Sequence, residues 1–339
     1  LIIPLYARKV CSELYPNLYR DETAVRLIDE IDYDFSESEK KSRSLMQRFG
    51  SLEVAVRQND LAFEVRDYLK GHPNAAVINL GCGLDGTGRS CDNGSCNIYN
   101  LDFPDVIAAR NELLPAGERE ENIPCNLNNT EWFRKIDSSN GAVFFASGVF
   151  YYFLTEQVKA LVQQMADAFP GSVLVFDAAN RTAVKMIAKT WLKSAKIRDV
   201  GAYFAVSDAP KEIGAWDSRL QVSSRGYMLG YNDLKDPSIG GFFRLLAKVG
   251  DGMMKMQIVK IGFGGKEKRA LIVGMIGCLL YVIGDFLFAA TGKTQSTESI
   301  GLMVKVAYLD MATWRMVISI ICGVLGTALY YIGFHQMWK

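Results

Sequence analysis

Downstream of Pro73 two kinds of pattern alternate along the chain. The runs "AAVINL", "NIYNLD", "NIPCNL", "GAVFFAS" and "SVLVFDA" are short, apolar and bounded by Gly, Pro, Asn or Asp, which predicts buried strands. Between them, "PDVIAARNELL", "NTEWFRKI" and "TEQVKALVQQMADAF" space their apolar residues three and four apart, which predicts helices with one buried face. Strand and helix in regular succession predict an α/β fold, a doubly wound and mostly parallel sheet covered on both faces. Two later runs, "GYMLGYNDL" and "KMQIVKIGFG", flank the polar loop "KDPSIGG" and predict an antiparallel edge hairpin, which brings the sheet to seven strands. The first 70 residues are helical in pattern, as in "ETAVRLIDEI" and in "SLEVAVRQNDLAFEVRDYLKG", which Gly71 and Pro73 close.

Near residue 265 the character of the chain changes. Up to about residue 264 the charges are spread as in a soluble protein; then "GGKEKR" gives way to Ala270–Thr291, whose one charge is Asp285, and a later run, Met316–Phe334, carries none. Each run meets the length of about 20 apolar residues that a bilayer core requires. The expectation is a domain over residues 1–264 and a membrane segment over 265–339, with transmembrane helices at about 270–291 and 316–335. Placing Gly274 over Gly323 brings Gly277, Tyr281 and Gly284 onto Gly326, Tyr330 and Gly333. At about 100° per residue these positions share a face, a stripe that lets membrane helices approach closely. Asp285 falls beside the stripe, toward the helix end where it reaches the interface. Lys266, Lys268 and Arg269 precede the first span and hold that end, with the large domain, in the cytoplasm.

Charge narrows the partners. A formal charge of +1, from 38 basic and 37 acidic residues, offers no global field, so nucleic acid is not an expected partner. Seven cysteines scattered through apolar or turn contexts are not a disulfide framework and suit a reducing compartment. Only Cys91 and Cys96 are close, across "CDNGSC", and Asp92-Asn93-Gly94 between them is turn chemistry. The chain has just two histidines, His72 and His335, so no metal site is expected. The opening "LIIPLYARKV" carries Arg8 and Lys9 after a short apolar stretch and no small-residue cleavage site, so it does not read as a signal peptide. With no initial Met, the natural N-terminus is expected to lie upstream.

Candidate chemistry gathers at "VINLGCGLDG", where Gly81, Gly83 and Gly86 follow an apolar run with the spacing of the dinucleotide fingerprint. A dinucleotide site needs a helix opening at the third glycine to hold the pyrophosphate. Only "TGRSCDNGSC" separates Gly86 from the next strand, against a usual crossover of at least about 10 to 12 residues including its helix. That weighs against a nicotinamide-linked oxidoreductase. What remains is a glycine turn open to close approach by a ligand, followed by Asp102 at the end of the second strand, where a carboxylate can accept two hydrogen bonds from ribose hydroxyls. S-adenosylmethionine is a ligand of that kind. The plainer alternative is a tight turn with a solvated aspartate.

"VINLGCGLDG", "DNGSCNIYNLDFPDVIAARNELLP", "CNLNNTEWF" and "FFASGVFYYFLTEQVKALVQQMADAFPGSVLVFDAAN", with the N-terminal "RDETAVRLIDEIDYDFS" and the "KEIGAW" region, resemble the class I methyltransferases of the leucine carboxyl methyltransferase and polyketide-synthesis O-methyltransferase group. The resemblance covers residues 1–264 and does not extend to the apolar tail. It implies a Rossmann-like seven-stranded sheet and S-adenosyl-L-methionine as cofactor. It also implies that Leu80, Gly81, Cys82 and Gly83 line the methionine portion, that Asp102 takes the ribose, and that Asn126 and Leu127 stand beside the adenine. Asn126 replaces the family's Asp, and Ser147, before Gly148 and Val149, occupies a strand end where the family often carries Glu. Tyr151 and Tyr152 match positions that face the substrate. The family's "LDTR" is "LDGT" here, with Arg89 two positions on, and Arg8 is the substitute anchor for the methionine carboxylate.

A hydroxyl acceptor usually needs a general base, most often His, and the domain offers only His72, in the loop before the first strand. A carboxylate is already ionised at neutral pH and needs none. The expected activity is therefore O-methylation of a small molecule, on a carboxylate first and a hydroxyl second, by a membrane-tethered enzyme. The alternative is a non-catalytic, membrane-anchored binding or sensing module that keeps the fold.

Overall fold

The computed structural model describes residues 2–187, 201 and 203–264, with residues 276, 279–280, 321 and 324–328 beyond them. The chain divides into two units, Leu1–Phe263 and Gly264–Lys339. Nearly all of the two apolar runs, Asp285 included, lies outside the described residues, and among the described residues no helix is long and apolar enough to cross a membrane.

The first unit opens with four helices, α1 (Ile2–Leu14), α2 (Glu22–Glu30), α3 (Ser36–Ser42) and α4 (Leu45–Gly71). There follow β1 (Ala76–Leu80), α5 (Thr87–Ser90), β2 (Asn97–Asp102), α6 (Pro104–Leu113), β3 (Glu120–Pro124) and β4 (Ala142–Ala146). The unit closes with α7 (Thr155–Ala168), β5 (Val173–Ala178), α8 (Arg181–Ile187), α9 (Ala209–Glu212), β6 (Leu220–Gly226), α10 (Gly241–Gly252) and β7 (Gln257–Phe263). The seven strands lie in the order β3-β2-β1-β4-β5-β7-β6, parallel except for β7, which runs antiparallel to both of its neighbours. The doubly wound, mostly parallel sheet is therefore present as expected. Its chain order reverses between β1 and β4, and at such a switch point the crossovers leave in opposite directions and open a crevice beyond the strand ends.

Local sequence explains the frame. β1 and β4 are buried at every position, as strands covered on both faces must be. Ser44 caps α4 by accepting the Gln47 N–H, and Asp21 caps α2 by accepting that of Ala24. On one face of the sheet, α4 packs Leu52, Val56, Leu61 and Val65 against Val77, Val143 and Val175. On the other, α7 supplies Val158, Leu161 and Met165 against Ile78, Phe144 and Phe176. "NTEWFRKI" forms a 3₁₀ helix, Thr130–Lys135, that sinks Trp132 among Phe133, Phe144 and Phe169.

The edge hairpin needs one correction. β6 is Leu220–Gly226, ahead of "GYMLGYNDL", which forms turns and loop. The edge strand is mostly exposed along "QVSSRG" and so has no apolar run to announce it, whereas Tyr227, Met228 and Leu234 are apolar because they plug the core beside α10. α10 then separates β6 from β7, so the pair is not a tight hairpin.

Candidate functional site

Register fixes the floor of the crevice. Leu80 stands opposite Leu101 and Ala146, and Ala146 opposite Phe176, so these four residues lie at one level at or near the carboxyl ends of β1, β2, β4 and β5. Asp102, Ser147 and Asp177 each come one residue later and share the rim.

Leaving β1, the chain turns on Gly81 (φ +67°) and Gly83 (φ +47°), both in the left-handed region that glycine tolerates. The amides of Gly81 and Cys82 donate to the Leu101 carbonyl at 2.8 and 3.0 Å, folding the turn over β2. A Cβ on Gly81 would lie 2.6 Å from Val149 Cγ2. Gly81→Ala thus combines left-handed strain of about 1–2 kcal/mol with overpacking of similar size. A loss of roughly 2–3 kcal/mol in unfolding free energy is expected, and a wild-type denaturation midpoint would contradict this geometry.

Asp102 turns toward this loop. Its Oδ2 accepts the Gly83 N–H at 2.8 Å and its Oδ1 accepts the Phe103 N–H at 2.8 Å, and each oxygen keeps a lone pair for a further donor. Partial burial raises its pKa above the usual carboxylate value, against the lowering effect of the two amides. Cys82 is buried beside it and its thiol is pushed by burial up to about 12, so it packs rather than reacts.

A buried polar chain fixes the loop from beneath. Ser147 Oγ donates to Gln58 Oε1 (2.7 Å), Gln58 Nε2 to Thr87 Oγ1 (2.7 Å), Thr87 Oγ1 to Asp85 Oδ1 (2.8 Å) and Asn79 Nδ2 to Asp85 Oδ2 (3.1 Å). Arg110 reaches back from α6 to the carbonyls of Gly83 (2.9 Å) and Asp85 (2.8 Å). From above, α1 and α2 close Leu5, Ala24, Leu27 and Ile28 over Leu84. Arg8 enters with them, donating to the Leu84 carbonyl (2.9 Å) and to Asp21 (2.9 Å).

Leu80, Gly81, Cys82, Gly83, Asp102, Ser147 and Arg8 are thus brought to one loop and rim. Asn126 and Leu127 follow β3, where the Cys125 N–H donates to the Asp102 carbonyl at 2.8 Å; Leu127 is buried and Asn126 is exposed, accepting the Asn128 N–H. Tyr151 and Tyr152 lie in the short 3₁₀ turn Phe150–Tyr152, the first buried and the second exposed. Arg89 faces outward, paired with Glu120 and the Pro115 carbonyl. The loop "CDNGSC" is a turn with Gly94 at φ +86°, and both of its thiols are free and buried. Among the described residues no group of His, Cys, Asp and Glu could hold a metal.

The sequence reading missed a second group on the same rim. Asp177, 1% exposed, accepts from Arg57 Nη1 at 3.1 Å and from the Gly148 N–H at 2.6 Å, and Tyr151 bonds to the same carboxylate. Gly148 is left-handed (φ +68°), and a Cβ there would stand 3.3 Å from both terminal nitrogens of Arg57. The available signal was Glu53, Arg57, Asp60 and Glu64, polar residues spaced four, three and four apart along a long helix.

Residues 5–166 match the model of the leucine carboxyl methyltransferase family. The matched stretch covers most of the first unit, from α1 into α7. S-adenosylmethionine is the cofactor that the methyltransferase family uses. The tetracenomycin polyketide synthesis O-methyltransferase TcmP of Streptomyces glaucescens is 26% identical over 179 residues, 52% of this chain. The chain spans 64% of that relative's length. Two solved structures are more distant likenesses: a DUF574 family protein from Streptomyces avermitilis (13% identity, TM-score 0.49, 76% of this chain and 96% of that one) and an O-methyltransferase family protein from Burkholderia thailandensis (16% identity, TM-score 0.41, 77% and 71%). Residues 254–339 match a second model, a family of unknown function (DUF6796), which begins ahead of β7.

Proposed function

We propose that the chain is an S-adenosylmethionine-dependent O-methyltransferase that modifies a carboxylate or hydroxyl of a small molecule and is tethered to the membrane by its apolar tail, with the methyltransferase domain in the cytoplasm. The observation that carries this reading is the Asp102 carboxylate at the end of β2, next to the switch point, turned onto Gly83 with acceptor capacity to spare. The loop fits the cofactor: two left-handed glycines bring backbone to the crevice, and the close approach of Val149 leaves no room for a side chain at Gly81. Asp102 would hold the ribose, the Leu80–Gly83 backbone the methionine portion, and Asn126 and Leu127 the adenine, with Ser147 on the rim. For the carboxylate of the methionine portion the crevice offers two guanidinium groups, Arg8 at Leu84 and Arg57 at Gly148. Tyr151 and Tyr152 stand on the acceptor side.

When bound, the cofactor supplies a methyl group on a sulfonium, open to in-line displacement. The protein's part is to hold the acceptor oxygen on that line and to keep the closed crevice dry. The two long apolar runs after residue 269, with Asp285 as their one charge and lysines and arginine before them, support the tether.

The test is transfer of labelled methyl from the cofactor by the purified full chain into a small-molecule extract, read by untargeted mass spectrometry. Labelled products are expected. Cofactor binding without any labelled product would favour a sensing or binding module instead, and the absence of binding would remove both readings.

A further inference from the structure

The polar chain beneath the glycine turn has a direction, and its bonds fix it. Asp85 Oδ1 accepts the Thr87 N–H at 2.9 Å and its Oδ2 accepts Asn79 Nδ2 at 3.1 Å, so both oxygens face groups that can only donate. The Thr87 hydroxyl, 2.8 Å from Asp85 Oδ1, directs its one proton to that carboxylate. Its oxygen is left to accept. The Gln58 amide must therefore turn Nε2 toward Thr87 (2.7 Å) and Oε1 toward Ser147. Ser147 Oγ, 2.7 Å from that carbonyl, must in turn donate. Gln58, Thr87 and Asp85 are each at most 8% exposed, so little solvent reaches the chain to reverse this order.

The consequence falls on Ser147. Ala146 stands opposite Leu80, which sets Ser147 beside Gly81 at the switch point, partly exposed rather than sealed. Its proton points inward to Gln58, so toward the crevice the hydroxyl offers lone pairs alone. The adjacent Gly148 N–H donates to Asp177 at 2.6 Å and does not fill this place. Every bond of the chain runs the same way and ends on a carboxylate, which polarises the Ser147 oxygen and strengthens it as an acceptor.

Strand order says which donor arrives. With adenine beyond β3 and ribose at Asp102 on β2, the amino-acid end of the cofactor runs across β1 to β4, two strand spacings or about 10 Å from Asp102. The donor on that end is the α-ammonium group. We infer that Ser147 accepts from this ammonium group and that Gln58 is the positioning residue that holds the Ser147 hydroxyl in its accepting orientation, which rests on the methyltransferase reading above and deepens it. A neutral serine, oriented by a buried amide, then complements Arg8 and Arg57, which face the carboxylate of the same end.

The test is calorimetry on the full chain in detergent with two ligands, S-adenosylhomocysteine and its analogue lacking the α-amino group. The wild type should prefer S-adenosylhomocysteine by about 10- to 100-fold, the range for a hydrogen bond to a charged group. Ser147→Ala should weaken S-adenosylhomocysteine about tenfold and leave the analogue unmoved. Gln58→Met removes the carbonyl that takes the Ser147 proton, and Thr87→Val, close in shape, unlocks the amide so that it can turn its Nε2 to Ser147. Both should shrink the preference while the analogue keeps its affinity. A merely structural role would weaken the two ligands by the same factor. Equal wild-type affinities, a wild-type preference in Ser147→Ala, or a wild-type preference in whichever of Gln58→Met and Thr87→Val folds would overturn the inference, as would parallel losses of both ligands. Each of those outcomes leaves the methyltransferase reading standing, whereas binding of neither ligand by the wild type would remove both.

Discussion

Asp102→Ala is expected to weaken binding of S-adenosylhomocysteine by about ten- to a hundred-fold, measured by calorimetry on the full chain. The side chain is the one acid at the end of β2, it already accepts Gly83 and Phe103 amides at 2.8 Å, and a ribose hydroxyl would complete its coordination. A hydrogen bond to a charged group contributes roughly 1.5–3 kcal/mol, which sets that range. The substitution also releases the Gly83 N–H, so the loop loses one of its clamps. Asp102→Asn should lie between, since it keeps one carbonyl acceptor. Equal affinities for all three proteins would mean that the nucleoside binds elsewhere.

Arg57→Leu should cost stability more than any other change at the rim. Asp177 is 1% exposed and would keep only the Gly148 N–H and the Tyr151 hydroxyl as partners. Removing one member of a buried ion pair typically costs about 3–5 kcal/mol, because the other charge is left uncompensated. The measurement is the unfolding midpoint of the full chain. A shift no larger than that of a surface substitution would show that the pair is open to water. The removal also strips the guanidinium from the Gly148 turn, so cofactor affinity should fall with it.

The parallel core was legible because its strands are buried on both faces and so read as unbroken apolar runs, as in "GAVFFAS". The glycine turn was legible from its spacing, and Asp102 from its place at a strand end. β6 was not, because an exposed edge strand carries polar residues and the apolar signal belongs to the core plug that follows it. Arg110 and the Ser147–Gln58–Thr87–Asp85 chain were hidden for another reason. Their partners come together only when α4 and α6 pack back on the sheet, and nothing local marks Gln58 for Ser147, 89 positions away. Arg57 and Asp177, 120 positions apart, are joined in the same way.

The most direct measurement is a structure of the chain bound to S-adenosylhomocysteine. Ribose hydroxyls within hydrogen-bonding distance of Asp102, with the nucleoside lying over Gly81 and Gly83, are the expected result. A nucleoside bound away from the β1–β4 crevice, or an Asp102 carboxylate that touches no part of it, would contradict the assignment.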